Sequence, residues 1–302
     1  MELLKWLCRC SPAANKHLRF AIQDRRDLKG LQQQQIFAPW SPGTASNNTS
    51  DLHIVWPGYG TCFFWQAGIM SRMSEELRMA RVPTIASSGG GLVAILGACE
   101  VTPAEAVQLA FRLCREAGVY DRPLGLLGIW RDLVHRWLDE LLPADAASRC
   151  AQVGLVVTEL PSLQPLQLSG WHCREDLIFA ALASAHIPLL LDGTLATRCR
   201  NRLVLDGNLH YAWLGGPQTL VPPGPSLVFD PRDDPHLQRE MGGGFGAIVR
   251  RMDDRRAFHL VELGRRHYDS LVERGVLDRH ALRAQYGRLR TDAGLLPGVP
   301  PT

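Results

Sequence analysis

Between residues 52 and 99 the chain repeats one local pattern twice: a short apolar run, a small-residue turn, then an apolar stretch of helical length. Leu52-His53-Ile54-Val55-Trp56 reads as a strand, Pro57-Gly58-Tyr59-Gly60 as a tight turn, and residues 62–80 as a helix. Residues 82–86 then read as a second strand with Ser87 and Ser88 at its end, and residues 89–99 as a second helix. Strand, helix, strand in that order predicts two parallel strands joined by a helical crossover, because parallel neighbours cannot be linked by a hairpin. No bulk property of the chain narrows the fold as much.

The same alternation continues downstream. Helices are expected over residues 103–117 and 124–142, with a short one after Pro143. Residues 153–157 read as a buried strand, 176–185 as a helix, 202–205 as a strand delivering Asp206 at its end, and 226–229 as a later strand. The arginine-rich stretch 248–289 reads as mainly helical. The fold class is therefore α/β with a mainly parallel central sheet. Residues 1–51, with a glutamine run and a Ser/Pro/Gly/Asn linker, read as an extension; 52–292 read as the folded domain and 293–302 as a loose tail. The opening segment reads as a frayed terminus, the alternative being a membrane-surface segment acylated at Cys8 and Cys10.

Charge and cysteine content exclude several classes. With 33 basic and 30 acidic residues, the net charge of +3 is far from that of a dedicated nucleic-acid binder. Eight cysteines without CxxC spacing read as reduced thiols, and no signal peptide is evident, so the expected location is cytoplasmic. Residues 177–191 are apolar but contain Ser184, His186 and Pro188, which argues against a membrane span. No metal-spaced cluster or calcium loop is present, and no cofactor is expected.

Three turns carry candidate chemistry. Ser88 lies between a strand and a glycine-rich helix start, with Ala86 two residues before and Gly90 two after: the small-residue setting of a nucleophile elbow. Alone, Ser-Gly-Gly-Gly also suits a phosphate-cradling turn, but a P-loop would carry Lys and Ser or Thr where Leu92-Val93 stands. Gly58 and Gly60 end the preceding strand, where bare backbone can turn N–H groups toward a neighbouring oxyanion. Phe63 in the third glycine position breaks a dinucleotide fingerprint there. Asp206 of Leu205-Asp206-Gly207 follows an apolar strand and suits a general base, whereas Asp192-Gly193 has the same dipeptide without a strand before it.

Taken in order, Gly58-Tyr59-Gly60, Ala86-Ser87-Ser88-Gly89-Gly90-Gly91-Leu92-Val93-Ala94, Ala183-Ser184-Ala185-His186-Ile187-Pro188 and Asp206-Gly207 resemble the signature of the patatin-like phospholipase family over about residues 52–275. Leu141-Leu142-Pro143-Ala144-Asp145 makes the chain most similar to the animal triglyceride-lipase and adiponutrin branch. The resemblance implies a three-layer α/β/α sandwich and a Ser/Asp dyad without histidine. Ser88 would be the nucleophile, Asp206 the base, Gly58, Tyr59 and Gly60 the oxyanion hole, with Ala86, Gly90 and Gly207 supporting the motifs. It also implies a lipid ester substrate, without metal or cofactor, met by peripheral contact with a membrane or lipid-droplet surface.

Two positions depart from the family pattern, Ala86 in place of glycine and Asn208 in place of a small residue. They support an alternative in which the fold persists as a catalytically impaired lipid-surface or protein-binding module. A Ser/His/Asp hydrolase using His210, His236 or His259 is the nearest catalytic rival. For the cluster Phe63-Phe64-Trp65 the expectation is core packing, with lipid binding as the alternative.

Overall fold

The computed structural model describes residues 52–209, 220–222, 224–241 and 252–287. Expectations placed on residues 1–51, on the tail 293–302 and on His210 lie outside these. The strands are β1 (His53–Trp56), β2 (Thr84–Ser87), β3 (Val153–Glu159), β4 (Pro165–Leu168), β5 (Thr197–Cys199), β6 (Arg202–Asp206) and β7 (Ser226–Val228). They form one seven-stranded sheet. β7, β1, β2 and β3 are parallel neighbours, β4 and β6 run antiparallel to β3, and β5 antiparallel to β6. The sheet is thus mixed but mostly parallel, as expected, with β4 and β5 as additions that short polar-interrupted sequence did not signal.

The register of β3 fixes the geometry that matters most. Leu155 and Val156 pair with β2 (Ala86, Ser87) on one edge and with β4 on the other. Val157 and Thr158 pair with β4 again and with β6 (Asp206, Leu205). A strand has only two edges, so β2 and β6 must share one. They run head to head along it, and their C-terminal ends meet where Ser87 faces Val156 and Asp206 faces Val157.

The α-helices of four residues or more are α1 (Phe63–Ser74), α2 (Ser88–Ala98), α3 (Pro103–Glu116), α4 (Trp130–Leu141), α5 (Ala146–Arg149), α6 (Arg174–Ser184), α7 (Pro235–Met241), α8 (Asp254–Glu273) and α9 (Arg279–Tyr286), and a single helical turn, Gly207–Leu209, follows β6. Because β1, β2 and β3 advance in one direction across the sheet, right-handed crossovers place α1 and α2 on the same face. Ile54, Trp56, Ala86, Leu155 and Val157 project into the main core, shared with these helices and α6. Val55, Ile85 and Val156 project the other way, onto Leu220, Tyr59 and Val228, a cluster containing no residue of a described helix. Among the described residues, the helices that share the main core with the sheet therefore pack on one of its faces.

Two helices are shorter than expected. α1 stops at Ser74, six residues before Ala80. The expected helix 124–142 begins only at Trp130, because Gly125 (φ 54°) and Gly128 (φ 78°) take the left-handed conformation and residues 124–129 form turns. The opening of α3 matches its sequence: Thr102 and Glu105 make reciprocal capping hydrogen bonds, with Pro103 as first helical residue. The apolar stretch 177–191 divides into α6 and a loop, and no helix among the described residues is long and apolar enough to cross a membrane. All six described cysteines are free thiols.

Candidate active site

Ser88 sits where the chain changes from strand to helix within one residue. Ser87 is still extended (φ −137°, ψ 151°), while Ser88 adopts φ 52° and opens α2. For a residue with a side chain that conformation costs roughly 1–3 kcal/mol and needs support from its surroundings. Part of the support is space. A Cβ on Gly58 would lie 2.4 Å from the Ser88 Cβ and 2.5 Å from the Ser87 carbonyl oxygen. A Cβ on Gly90 would lie 2.1 Å from the Trp56 carbonyl oxygen, so bare glycine lets α2 seat on the end of β1.

The rest of the support is a hydrogen bond that sequence reading missed. The Ser88 amide donates to Ser184 Oγ at 3.0 Å, and the Ser184 hydroxyl donates onward to the Val156 carbonyl at 2.7 Å. Ser184 is fully buried at the last residue of α6. It was visible in the motif Ala183-Ser184-Ala185-His186, but its partner is set by where the end of α6 meets β2 and β3, which no local spacing encodes.

Asp206 meets Ser88 from the opposing strand. Its Oδ2 accepts the Ser88 hydroxyl at 2.7 Å, and its Oδ1 accepts the Asn208 amide at 2.7 Å. Its backbone is fixed as well, with N–H to the His186 carbonyl at 2.9 Å and C=O accepting from Thr158 Oγ1 at 2.9 Å. Burial pushes the carboxyl up to about 7, against the smaller lowering effects of the Ser88 hydroxyl and the amides of Asn208 and Leu209. A buried carboxylate titrating near neutrality and bonded to a hydroxyl can take that hydroxyl's proton.

Ala86 and Asn208 both fit their surroundings. Ala86 is fully buried in β2, its methyl packed in the main core. Asn208 donates its backbone N–H to Asp206, and its side-chain Oδ1 accepts from the Ser87 hydroxyl at 3.5 Å. Gly207 between them is a packing requirement, since a Cβ there would lie 1.9 Å from the Val156 carbonyl oxygen.

The residues of the Gly58-Tyr59-Gly60 turn take different places. Gly58 directs its N–H toward Ser87 Oγ at 3.4 Å, and the Arg232 guanidinium lies 5.5 Å from the centre of the Tyr59 ring. Gly60 (φ 52°) opens a 3₁₀ turn and, with Gly89 of α2, borders a cavity that reaches Ser88. Neither amide has an acceptor within its own helix, because first-turn N–H groups point outward.

That cavity has a volume of about 430 Å³. Phe63, Phe64, Phe111 and Trp137 form one wall, with ring centroids 5.2, 5.7 and 6.4 Å apart in successive edge-on and stacked pairs. Leu92, the one residue of α2 that is not buried, also faces it. Asp206 does not line it and therefore lies behind the serine. Within the Phe63-Phe64-Trp65 cluster the two phenylalanines line the cavity, while Trp65 is core and donates its Nε1 hydrogen to Asp234 at 2.8 Å.

Other candidate groups are elsewhere. His236 pairs with Arg239, and His259 with Glu240; neither borders the cavity. His186 is buried beside Thr194, with its Nδ1 4.0 Å from Asp192, and contributes its carbonyl rather than its ring to Asp206. Among the described residues, no group of three or more His, Cys, Asp or Glu side chains is arranged to hold a metal ion. Compared with known proteins, the chain matches no family model and no curated sequence.

Proposed function

We propose that the chain hydrolyses lipid acyl esters through a Ser88/Asp206 dyad in a patatin-like α/β/α domain. The observation that carries this reading is the 2.7 Å hydrogen bond between Ser88 Oγ, on a strained strand-to-helix turn, and a buried carboxylate titrating at about 7. In the first half-reaction Ser88 Oγ attacks the ester carbonyl as Asp206 takes its proton. The tetrahedral oxyanion is stabilised by the first-turn amides of Gly60 and Gly89, which border the cavity, and by the N-terminal end of the α2 dipole. Collapse expels the alcohol, which leaves with the proton held by Asp206. Water then attacks the acyl-enzyme with Asp206 again as base, releasing the carboxylic acid and restoring Ser88.

Within this reading Gly58 makes room for Ser88, the apolar cavity receives the acyl chain, and the substrate is drawn from a membrane or lipid-droplet surface in the cytoplasm. The test is labelling with a fluorophosphonate probe, which reacts only with an activated serine. Wild type should label at Ser88, and Ser88→Ala and Asp206→Asn should not. An unlabelled wild type that still binds lipid would instead indicate the noncatalytic module.

A further inference from the structure

The buried face of α1 is apolar except for Gln66. This side chain is fully buried, and its Nε2 donates to the carbonyls of Pro57 at 2.6 Å and Phe229 at 3.2 Å. Carbonyl oxygens only accept, so the side-chain amide must turn its nitrogen toward them. Its Oε1 is then left in the core without a hydrogen bond among the described residues. An apolar side chain of the same length would avoid that cost, so packing alone does not account for a glutamine here. What the amide does is tie the end of β1 to the end of β7 and fix one peptide.

That peptide joins Pro57 to Gly58. It is trans, so its C=O and N–H point in opposite directions. With the carbonyl held by Gln66, the Gly58 N–H faces the end of β2, 3.4 Å from Ser87 Oγ. Gly58 also packs on the nucleophile: a Cβ there would lie 2.4 Å from the Ser88 Cβ and 2.7 Å from the Gly89 nitrogen. The positive end of the peptide dipole is thus turned toward the reacting end of α2, where the proposed reaction develops negative charge. The reverse orientation would put a carbonyl oxygen there. Two features leave that alternative open. Glycine accepts the change of torsion at low cost, and the Ser87 hydroxyl can donate to a carbonyl as well as accept from an N–H. Gln66 offers this peptide only a donor, and so decides between the two.

We propose that Gln66 is a positioning residue of the candidate active site, holding the 57–58 peptide with its N–H toward the Ser87-Ser88 turn and its carbonyl away. The effect on chemistry rests on the esterase reading; the orientation of the peptide does not.

The test uses the full chain with Gln66→Met, which keeps the length and unbranched shape of the side chain and removes its donor. A crystal structure of the variant should show the Pro57 carbonyl turned toward Ser87. With p-nitrophenyl decanoate, kcat should fall about 100-fold while KM stays within about threefold, because the peptide acts on charge that develops only in the transition state. A pair of ketones separates this from a general loosening of the fold. Ser88 adds to decyl trifluoromethyl ketone, its proton passing to Asp206 and the carbonyl electron pair to the oxygen, whereas decyl methyl ketone binds without reacting. The variant should lose about 100-fold in affinity for the first and less than about threefold for the second. A Pro57 carbonyl still in its wild-type orientation, a kcat within about threefold of wild type, or equal losses for the two ketones overturns the proposal. If Gln66→Met does not fold, Gln66→Leu serves the same purpose. If the peptide turns in the variant while wild type neither hydrolyses the ester nor labels with fluorophosphonate, the esterase reading fails and the hold of Gln66 on the peptide stands.

Discussion

The tripeptide Leu-Asp-Gly occurs at Leu191-Asp192-Gly193 and again at Leu205-Asp206-Gly207, and the two copies are used differently. Asp192 lies on a loop, where its Oδ1 accepts the Thr194 amide at 3.0 Å and the Thr194 hydroxyl at 2.6 Å, a side-chain-capped turn. Gly193 is there for its backbone, with φ 78° and open space around the position of a Cβ. Asp206 ends a strand, is buried, and spends its oxygens on Ser88 and Asn208. Gly207 has no left-handed torsion; it is needed because the Val156 carbonyl occupies the place of a side chain. A short motif thus acquires its chemistry from the element before it and from what that element packs against.

The comparison breaks first if the wrong aspartate matters. Ser88→Ala and Asp206→Asn should each lower kcat/KM for a monoacyl ester by about 10⁴-fold or more, while Asp192→Asn stays within about twofold. Equal losses at the two aspartates, measured by steady-state kinetics, would end the dyad assignment.

The buried carboxyl gives the next largest effect. Since the folded protein holds the Asp206 proton up to about pH 7, and the unfolded chain releases it near 3.8, folding stability is full below about pH 4 and falls as pH rises to 7. Chemical denaturation should show Asp206→Asn equal to wild type at pH 4 and more stable at pH 8, by up to about 4 kcal/mol. Activity runs the opposite way, with kcat/KM rising through an apparent pKa of about 7 as Asp206 ionises.

The glycines sharpen the contrast. Gly207→Ala should destabilise by about 2–4 kcal/mol through overpacking, and Gly193→Ala by about 1 kcal/mol through its backbone torsion alone. Ser184→Ala should lower kcat about 10-fold, with KM little changed, as Ser88 loses the anchor of its amide. Smallest of all, His236→Ala and His259→Ala should leave kcat/KM within about twofold; a large loss at either would revive a histidine-based mechanism.

Much of this was legible in the sequence because it is local. The strand ends, the glycines flanking Ser88, and the strand before Asp206 are patterns of a few residues, and each appears where periodicity placed it. What escaped depends on contacts distant in the chain. Ser184 anchors an amide 96 residues away, and the cavity is assembled from α1, α2, α3, α4, the loop before α4 and the loop after α6. Residues 124–129 misled because their leucines carry a helical spacing. Gly125 and Gly128 break the helix, and Leu124 and Leu126 line the cavity instead of filling the core.

Because β2 and β6 both take their register from β3, that one strand acts as a ruler for the reacting pair. The turns joining β3 to β6 can vary in length so long as the pairing of Val157 with Asp206 and the places of Ser184 and His186 are kept. A slip of a single residue would shift the carboxylate by about 3.4 Å and turn it to the opposite face of the sheet. The site would then fail abruptly, with every one of its side chains still present. Insertions in the turn between β4 and α6, at residues 169–173, are therefore a gentler way to diversify this protein than any substitution in β3 that loosens its pairing.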